Sequence, residues 1–479
     1  MEGFSYSLAF PPERKDSSIN SSTPLLSPNS SSIKSDHAAS SLRWKILFGF
    51  SLLSFSSACL WITFAPCLFI FMSHYGHITP SYINSLSTIY MFIYPFLLLP
   101  SIKIFDIYGL RYGVLLGAFL NAFGAMLRFL GAFGPSGFWC LFMGQAFAAA
   151  ANVFIIGVPP KLANLWFQIG EQNIAISVGV VANNAGIAAG FILSPYMIKE
   201  ETAKSDIPEY MLLQFGACVL IYAFLVLTFK SLPTNTTNSR DDMPSKNSIV
   251  IEEERRPHQI RITSSSTIKI YLTNLPFLLL SISFGIIIGA QYAVSTLLAQ
   301  MVVPVFSTFD ESQVGLLGFL IVIAGIIGAL LIGFYLDYSF AYRNSCRFLY
   351  ISATISLALF NVGLGFQSLK LVFLGSICFG IFTFAITPAV FQFVTTIKLS
   401  DNQIKDEITT TGILNSVVQV WGIILVAVMD AMENYNEKFT MRIANWGLFM
   451  VLIIGIWLLW LVEGENEDHD TGTDEANHA

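Results

Sequence analysis

The chain has 479 residues, of which 54% are hydrophobic and only 12% are charged, and its mean hydropathy is +0.64. Soluble domains carry about a quarter of charged residues, so this composition excludes a soluble enzyme and indicates an integral membrane protein. The formal net charge of −6 comes from the end of the chain, because residues 463–479 hold seven acidic residues and no Lys or Arg.

Residues 1–42 are rich in Ser, Pro and Asn, and we expect a disordered cytoplasmic tail there. From residue 43 onward, apolar stretches recur that reach the roughly 20 residues a helix needs to cross a membrane. The predicted spans, numbered 1 to 12 in chain order, are 44–72, 82–105, 111–132, 137–163, 172–197, 208–230, 270–301, 312–336, 345–367, 371–398, 406–430 and 438–462. The predicted domains are a six-helix bundle at 43–230, a cytoplasmic linker at 231–269, a second six-helix bundle at 270–462 and an acidic cytoplasmic tail at 463–479.

The distribution of positive charge predicts the orientation. If the N-terminus is cytoplasmic, 19 Lys and Arg lie on the cytoplasmic side and 6 on the opposite side. Cytoplasmic loops carry an excess of Lys and Arg, so both termini are predicted to be cytoplasmic. The six residues assigned to the opposite side are Arg128, Lys199, Lys204, Lys370, Lys438 and Arg442.

The two groups of six spans carry similar turns. Asp106 and Arg111 follow span 2, and Asp337 and Arg343 follow span 8. Parallel six-helix repeats with a site between them are typical of the major facilitator fold, so we predict an all-α membrane protein of that fold. We expect these four residues to act as gating residues that hold the cytoplasmic side closed.

Ionisable residues are scarce inside the spans. The spans contain no His at mid-depth, and their acids lie near the ends, at Asp106, Asp337, Glu407 and Asp430. A proton-coupled symporter usually places a titratable group at mid-depth, so facilitative transport is the better prediction.

Aromatic and amide side chains occupy the middle of the spans instead. Trp61 and Tyr292 lie in spans 1 and 7, and Asn184 and Gln419 lie in spans 5 and 11, which are equivalent positions of the two repeats. Aromatic faces without a carboxylate suit a quaternary ammonium, and the amides suit a hydroxyl on the same ligand. The alternative is that the four side chains only pack or bond between helices.

Signals for other chemistry are absent from the sequence. The six cysteines all lie in apolar segments, with spacings that suggest neither a metal site nor a disulfide pair. There is no nucleophile–base, metal or phosphate-binding motif. We therefore expect no enzyme activity, no cofactor and no metal. The expected partners are a small-molecule substrate and the lipid bilayer, with no nucleic acid.

From Arg43 to Trp460, without the central linker, the sequence resembles the feline leukaemia virus subgroup C receptor family of major facilitator transporters. The most specific stretches are 292–300 in span 7 and 410–415 leading into span 11. Further matching residues are Trp61, Tyr90, Met91, Tyr94, Asp106, Arg111, Asn121, Gln145, Pro159, Trp166, Asp337, Pro388, Phe391 and Gln419.

The resemblance implies transport of choline and ethanolamine, and also haem export. It implies that Trp61 and Tyr292 match the family's choline-cage aromatics and that Gln419 matches a cavity glutamine. Asn184 stands where the family often has glutamine, and Gln392 replaces a glutamate typical of span 10. The resemblance also favours the plasma membrane over an endolysosomal membrane.

Two alternatives to a choline-type facilitator stay open. A haem exporter needs an axial ligand, for which His74 and His77 in the first loop are candidates. A receptor or sensor that binds its ligand without transporting it is the other alternative, although the repeat pattern and the paired acid–base turns favour a transporter.

Overall fold

A computed structural model describes residues 30–76, 78–168, 171–229, 271, 273–306, 309–339, 341–397, 407–433 and 440–462, without the side chains of residues 30–41, Asp337 and 407–409. The predicted linker, the predicted acidic tail and residues 1–29 of the predicted N-terminal tail lie outside the described residues. Residues 1–44 form one unit, in which the first helix begins at Ser30, and residues 45–479 form a second compact unit.

The described residues form thirteen α-helices and one short 3-10 turn. The helices are α1 (Ser30–Ile62), α2 (Leu68–His74), α3 (Pro80–Leu130), α4 (Phe138–Ile156), α5 (Val158–Trp166), α6 (Gln172–Met197), α7 (Ala203–Thr228), α8 (Leu275–Val302), α9 (Glu311–Ser339), α10 (Tyr342–Gly365), α11 (Leu369–Thr396), α12 (Glu407–Ala431) and α13 (Arg442–Trp460); the 3-10 turn is Pro135–Gly137.

Eleven of the described helices are long and apolar enough to cross a membrane, and one of them contains two spans. Helix α3 has 51 residues, which at 1.5 Å per residue would extend about 77 Å, more than twice the bilayer core. It is broken at Gly109, whose φ of 80° and ψ of 172° lie outside the helical region. The two arms of α3 are spans 2 and 3, so the prediction of twelve spans is confirmed.

Two of the predicted spans are each divided into two helices in the structure. Span 1 stops at Ile62 and resumes as α2 at Leu68, where the intervening Pro66 has no N–H for a helical hydrogen bond. Span 4 ends at Ile156 and turns at Gly157 before α5 begins. Both breaks leave backbone carbonyls that other groups must satisfy.

Within residues 45–479, the contacts between helices follow the sequence repeat. We call residues 45–228 the first half and residues 275–460 the second half. Between the halves, α3 packs against α12 and α6 packs against α9. These are spans 2 with 11 and 5 with 8, and the two contacts exchange if each span is replaced by its equivalent in the other repeat. Gln419 in α12 and Asn184 in α6 therefore lie on helices that meet across the two halves.

An even number of spans brings the end of span 12 back to the membrane face at which span 1 begins. We call this face the terminal side. The opposite side, reached at the ends of α2, α3, α6, α8, α10 and α12, is the distal side.

Candidate substrate site

The two predicted cage aromatics are in contact. Trp61 lies in the last turn of α1 and Tyr292 lies in α8, and their ring centroids are 5.5 Å apart with an angle of 68° between the planes. The indole Nε1 donates a 3.2 Å hydrogen bond to the carbonyl oxygen of Ser87 in α3. Trp61 is only 9% exposed. One ring from each half thus meets at a buried point between the halves.

The geometry of this pair is that of a closed site. A separation of 5.5 Å at a steep angle is an edge-to-face contact between the rings themselves. A cation must lie over a ring face, within about 6 Å of its centroid. The space between Trp61 and Tyr292 is filled by their own contact, so a cation between them requires the rings to separate.

A glycine lets three helices meet beside the pair. A Cβ on Gly422 of α12 would lie 2.8 Å from Sδ of Met91 and 3.5 Å from Cδ2 of Tyr292. Gln419 is three residues earlier in α12 and is buried, and residues three apart lie on the same helix face. The structure therefore places Gln419 on the side of α12 that approaches Tyr292.

Asn184 is less clearly part of this arrangement. It lies half-buried in α6, which packs tightly on α1 through Gly186 and Gly190. Its neighbour Asn183 donates hydrogen bonds to the backbone and hydroxyl oxygens of Ser54, at 3.4 and 3.3 Å. Within the described residues, no hydrogen bond joins the Asn184 side chain to Trp61 or Tyr292.

Sequence analysis gave no site role to two buried hydroxyl groups, one close in the chain to Ser87 and the other close to Tyr292. Tyr90 follows Ser87 by three residues in α3, and Thr296 follows Tyr292 by four residues in α8. Among the described residues, neither Oη of Tyr90 nor Oγ1 of Thr296 has a hydrogen-bond partner, although both are buried. A buried hydroxyl without a partner costs about 1–3 kcal/mol. A bound polar ligand would remove that cost.

A polar network joins the two halves at the distal side. The Asn84 amide in α3 donates to Oδ1 of Asp430 at 2.7 Å and to Oε1 of Gln300 at 2.8 Å. The Ser81 hydroxyl donates to Oδ2 of Asp430, and Nε2 of Gln300 donates to Glu433 at 2.9 Å. Asn84 and Gln300 are both buried. We call these five residues the distal network; of them, the sequence drew attention only to Asp430.

Two of the predicted gating residues on the terminal side, Asp106 and Arg111, do not pair with each other in the structure. Nζ of Lys161 donates to Oδ1 of Asp106 at 3.5 Å, with 51% of the Asp106 side chain exposed, and both residues belong to the first half. Arg111 is exposed and has no ion pair among the described residues. Arg343 is half-buried, and the Asp337 side chain lies outside the described residues.

Arg128 is a buried charge that the sequence did not predict to be buried. The charge count placed it on the side opposite the termini, and the structure buries it completely in the last turn of α3. Its Nη1 donates a 3.2 Å hydrogen bond to the Leu60 carbonyl oxygen. The available signal was its place inside the apolar stretch predicted as span 3, where a charge is costly and usually has a specific partner.

The first loop holds one of the two histidines considered as haem ligands. Nε2 of His74 donates to the carbonyl oxygen of Ala132 at 2.9 Å, and the Tyr75 hydroxyl donates to that of Gly131 at 2.9 Å. Burial raises the pKa of Tyr75, so its hydroxyl stays protonated as a donor. His77 lies outside the described residues. Within the described residues, no group of His, Cys, Asp and Glu could hold a metal ion.

Comparisons with known proteins agree with this architecture. The family model described as Major Facilitator Superfamily matches residues 50–427. The human protein named choline/ethanolamine transporter FLVCR2 is 31% identical over 401 residues, which cover 83% of this chain and 73% of that protein. The Danio rerio protein named choline/ethanolamine transporter flvcr2b is 30% identical over 417 residues, covering 86% of this chain and 82% of that one.

The chain belongs to the FLVCR family of the major facilitator superfamily. A Caenorhabditis elegans protein named as an uncharacterized MFS-type transporter is 32% identical over 404 residues, covering 84% of this chain and 66% of that protein. Among solved structures, a D-xylose-proton symporter aligns with a TM-score of 0.63 at 12% identity, covering 89% of this chain and 98% of that one. The nucleoside transporter NupG gives 0.62 at 13% identity, covering 87% and 98%.

Membership of this family makes the protein a membrane transporter and not an enzyme. The likeness to the sugar and nucleoside transporters shows the fold alone, since identities of 12% and 13% are too low to indicate which substrate is transported. Major facilitator transporters work by alternating access, in which two bundles rock around a site near the middle of the membrane. Trp61 and Tyr292, which are in contact, come one from each half.

Proposed function

We propose that this transporter carries a small organic cation of the choline and ethanolamine class, by facilitated alternating access. The observation that carries the proposal is the contact between Trp61 and Tyr292 across the two halves. The names of the FLVCR relatives as choline/ethanolamine transporters support the same substrate class.

Contact between the two rings makes binding depend on conformation. Because Trp61 belongs to the first half and Tyr292 to the second, rocking of the halves separates the rings. A quaternary ammonium then gains about 0.5–2 kcal/mol from each aromatic face, which offsets the lost contact between the rings. The same pair thus binds the cation in one arrangement and closes the site in another.

Polar groups near the pair suit the hydroxyl that choline and ethanolamine share. The unpartnered hydroxyls of Tyr90 and Thr296 are candidates to bond it, together with the predicted amides of Gln419 and Asn184. All these groups are neutral, so they accept a hydroxylated cation without a proton-carrying carboxylate. This chemistry supports facilitative rather than proton-coupled transport.

We propose that two gates alternate around this site. The distal network is the gate that is closed in this structure, since it bonds α3 to α8 and α12. Asp106, Arg111, Asp337 and Arg343 form the proposed terminal-side gate of the opposite conformation. The bond from Asp106 to Lys161 stays within the first half, as expected of a gate that is released.

The orientation remains a proposal that rests on charge. Without the buried Arg128, the ratio of Lys and Arg between the proposed cytoplasmic side and the opposite side becomes 19 to 5, which strengthens the case for cytoplasmic termini. Labelling an epitope at each chain end in intact and in permeabilised cells tests it. Labelling of intact cells would contradict it. Residence in the plasma membrane is proposed from the family, and imaging of the tagged protein checks it.

The test of the function is flux of radiolabelled choline and ethanolamine into proteoliposomes that contain the purified protein. We expect saturable uptake of both without an imposed proton gradient, unaffected by haem. Uptake only with a proton gradient would contradict the facilitative mechanism. A choline-dependent rise in melting temperature without any flux would favour the receptor alternative. Haem transport without amine flux would favour the haem exporter, which the bonded His74 does not support.

A further inference from the structure

Arg128 is a buried cation whose hydrogen bonds converge on the end of α1. Its Nη1 donates to the Leu60 carbonyl oxygen at 3.2 Å, and its Nη2 donates to Oε1 of Gln214 at 3.0 Å. The guanidinium carbon also lies 5.0 Å from the centroid of the Phe64 ring. Arg128 is 0% exposed. A group this costly to bury in a membrane calls for a specific role.

The guanidinium is stabilised without an acidic partner. Within the described residues, no carboxylate lies at ion-pair distance from Arg128. The carbonyl groups at the C-terminal end of a helix carry a partial negative charge of about half an electron. Helix α1 ends at Ile62, two residues after the Leu60 carbonyl that Arg128 contacts. The end of α1 therefore supplies the negative potential that an acid would otherwise provide.

Two more side chains, Gln145 and Thr63, complete the same network. Nε2 of Gln145 donates to the Leu60 carbonyl oxygen at 3.3 Å. Nε2 of Gln214 donates to the Thr63 hydroxyl at 2.9 Å, and that hydroxyl donates to the Cys59 carbonyl oxygen at 2.8 Å. The break in the helix at residues 63–67 frees these carbonyls. We call Arg128, Gln145, Gln214 and Thr63 the carbonyl network.

The helices that present Arg128 are held at short distance. A Cβ on Gly144 of α4 would lie 2.7 Å from the backbone N and 2.9 Å from Cγ of Arg128. A Cβ on Gly124 would lie 2.6 Å from the carbonyl oxygen of Gly144. Two glycines therefore let the backbones of α3 and α4 touch beside Arg128. This close packing limits the positions that the guanidinium adopts.

The carbonyl network binds the backbone directly before Trp61. The Leu60 carbonyl and the Trp61 amide N belong to one planar peptide group. Fixing the direction of that carbonyl therefore holds the backbone N and Cα of Trp61 in place and limits the directions in which its side chain leaves the backbone. The indole is held at its other end by the 3.2 Å bond from Nε1 to the Ser87 carbonyl oxygen. Backbone and ring together set where the indole meets Tyr292.

We propose that Arg128 is a positioning residue for substrate recognition: it holds the Leu60 peptide at the broken end of α1 and thereby aims Trp61 at the cation. The effect on substrate rests on the proposed function, whereas the effect on α1 does not. The chain offers a matched control in the second half. Asn361 is buried and donates to the Asn445 carbonyl oxygen at 3.1 Å, far from Trp61 in the chain.

The first experiment measures hydrogen exchange of the backbone amides at residues 58–66 in detergent, without substrate. Arg128→Gln is expected to raise the exchange rate there about tenfold, and Gln145→Leu, which keeps the charge, by a smaller factor. Asn361→Leu is expected to leave it unchanged. Wild-type exchange in both Arg128→Gln and Gln145→Leu would overturn the proposal. If Arg128→Gln fails to fold, Gln145→Leu decides the same point.

The second experiment measures the choline KM in proteoliposomes, in the wild-type and in a Trp61→Phe background. Arg128→Gln is expected to raise KM about three- to tenfold in the wild-type background and to have little further effect once the indole is gone. Arg128→Lys, which keeps one donor for Leu60, is expected to restore part of the KM. Asn361→Leu is expected to change KM in neither background.

An equal rise of KM in both backgrounds would mean that Arg128 does not act through Trp61, and would overturn the proposal. If the wild-type protein carries neither choline nor ethanolamine, the proposed function fails, and the exchange experiment alone decides whether Arg128 holds the end of α1. The two failures are therefore distinguishable.

Discussion

The side-chain amide of Asn84 in α3 donates a 2.7 Å hydrogen bond to Oδ1 of Asp430 in α12. The same amide reaches Oε1 of Gln300 in α8 at 2.8 Å. One side chain of the first half thus bonds two helices of the second half at the distal side. A transporter that alternates must break these bonds in each cycle, so their strength sets how often the distal side opens.

Asn84→Ala removes both bonds and is expected to favour the conformation that is open on the distal side. Hydrogen bonds to charged groups contribute about 1.5–3 kcal/mol, so the open population should rise at least about tenfold. The population that is open on the distal side is measured with Thr296→Cys as a reporter, through the rate at which this cysteine reacts with an impermeant thiol reagent in intact cells. Thr296 is a buried residue of α8 without a hydrogen-bond partner among the described residues. Ser85→Ala is the control, since among the described residues that hydroxyl donates only to the Tyr82 carbonyl oxygen of its own helix. An unchanged reaction rate would contradict the proposal that the distal network is a gate.

Trp61→Ala is expected to raise the choline KM about 2- to 30-fold, the factor that corresponds to a loss of 0.5–2 kcal/mol of cation–π energy. Trp61→Phe keeps an aromatic face and should raise KM less. Trp457→Ala is the matched control, because that indole is 62% exposed on the outside of α13. Choline uptake measured at equal protein content checks whether KM rises more for Trp61→Ala than for Trp61→Phe. An equal choline KM for Trp61→Ala and Trp457→Ala would show that Trp61 does not bind the cation.

Gly422→Leu is expected to reduce choline uptake severely, because a side chain at this position enters the space of Met91 and Tyr292. Even the Cβ of Gly422→Ala lies 2.8 Å from Sδ of Met91, and the flexible methionine absorbs part of that contact. Met91→Ala should therefore restore uptake in the Gly422→Ala protein. Gly447→Ala is the control, as nothing lies within 4 Å of its added Cβ. Loss of uptake in both glycine variants would point to folding instead.

Asp337→Asn tests the terminal-side gate. If Asp337 helps to close the terminal side when the distal side is open, its neutralisation should oppose Asn84→Ala. In the Asn84→Ala, Thr296→Cys protein we expect Asp337→Asn to lower the labelling rate at least about fivefold, the lower end of ordinary coupling between sites. Ser339→Ala, two residues later, is the control. An unchanged labelling rate would show that Asp337 does not help to close the terminal side.

The sequence predicted part of the candidate site for a simple reason. Trp61 and Tyr292 occupy equivalent positions in a repeated pattern of spans, and repeat symmetry brings equivalent spans to the same central axis. The contact between their rings agrees with that reasoning. Asn184 followed from the same symmetry, yet in the structure it is Asn183 that bonds α1. Symmetry identifies the helix and the depth of a residue, but the rotation of the helix decides which side chain faces the site.

Local sequence also failed to predict which charges pair. Asp106 and Arg111 are close in the chain, but Asp106 bonds Lys161, because the break at Gly109 changes the direction of the chain between them. Arg128 was assigned a side of the membrane but no partner, because hydropathy does not reveal a partner. Its partners come from α1 and α7, more than sixty residues away in the chain.

The sequence by itself determined that this protein is a twelve-span membrane transporter of the FLVCR family, because span length, composition and repeat are properties that the chain carries locally. Only the tertiary structure decided that span 1 breaks directly after Trp61, that Arg128 bonds the carbonyl before it, and that Asn84, Gln300 and Asp430 join the halves. The reason is physical: each of these features depends on hydrogen bonds between distant segments, and a donor's partner is set by the packing of helices.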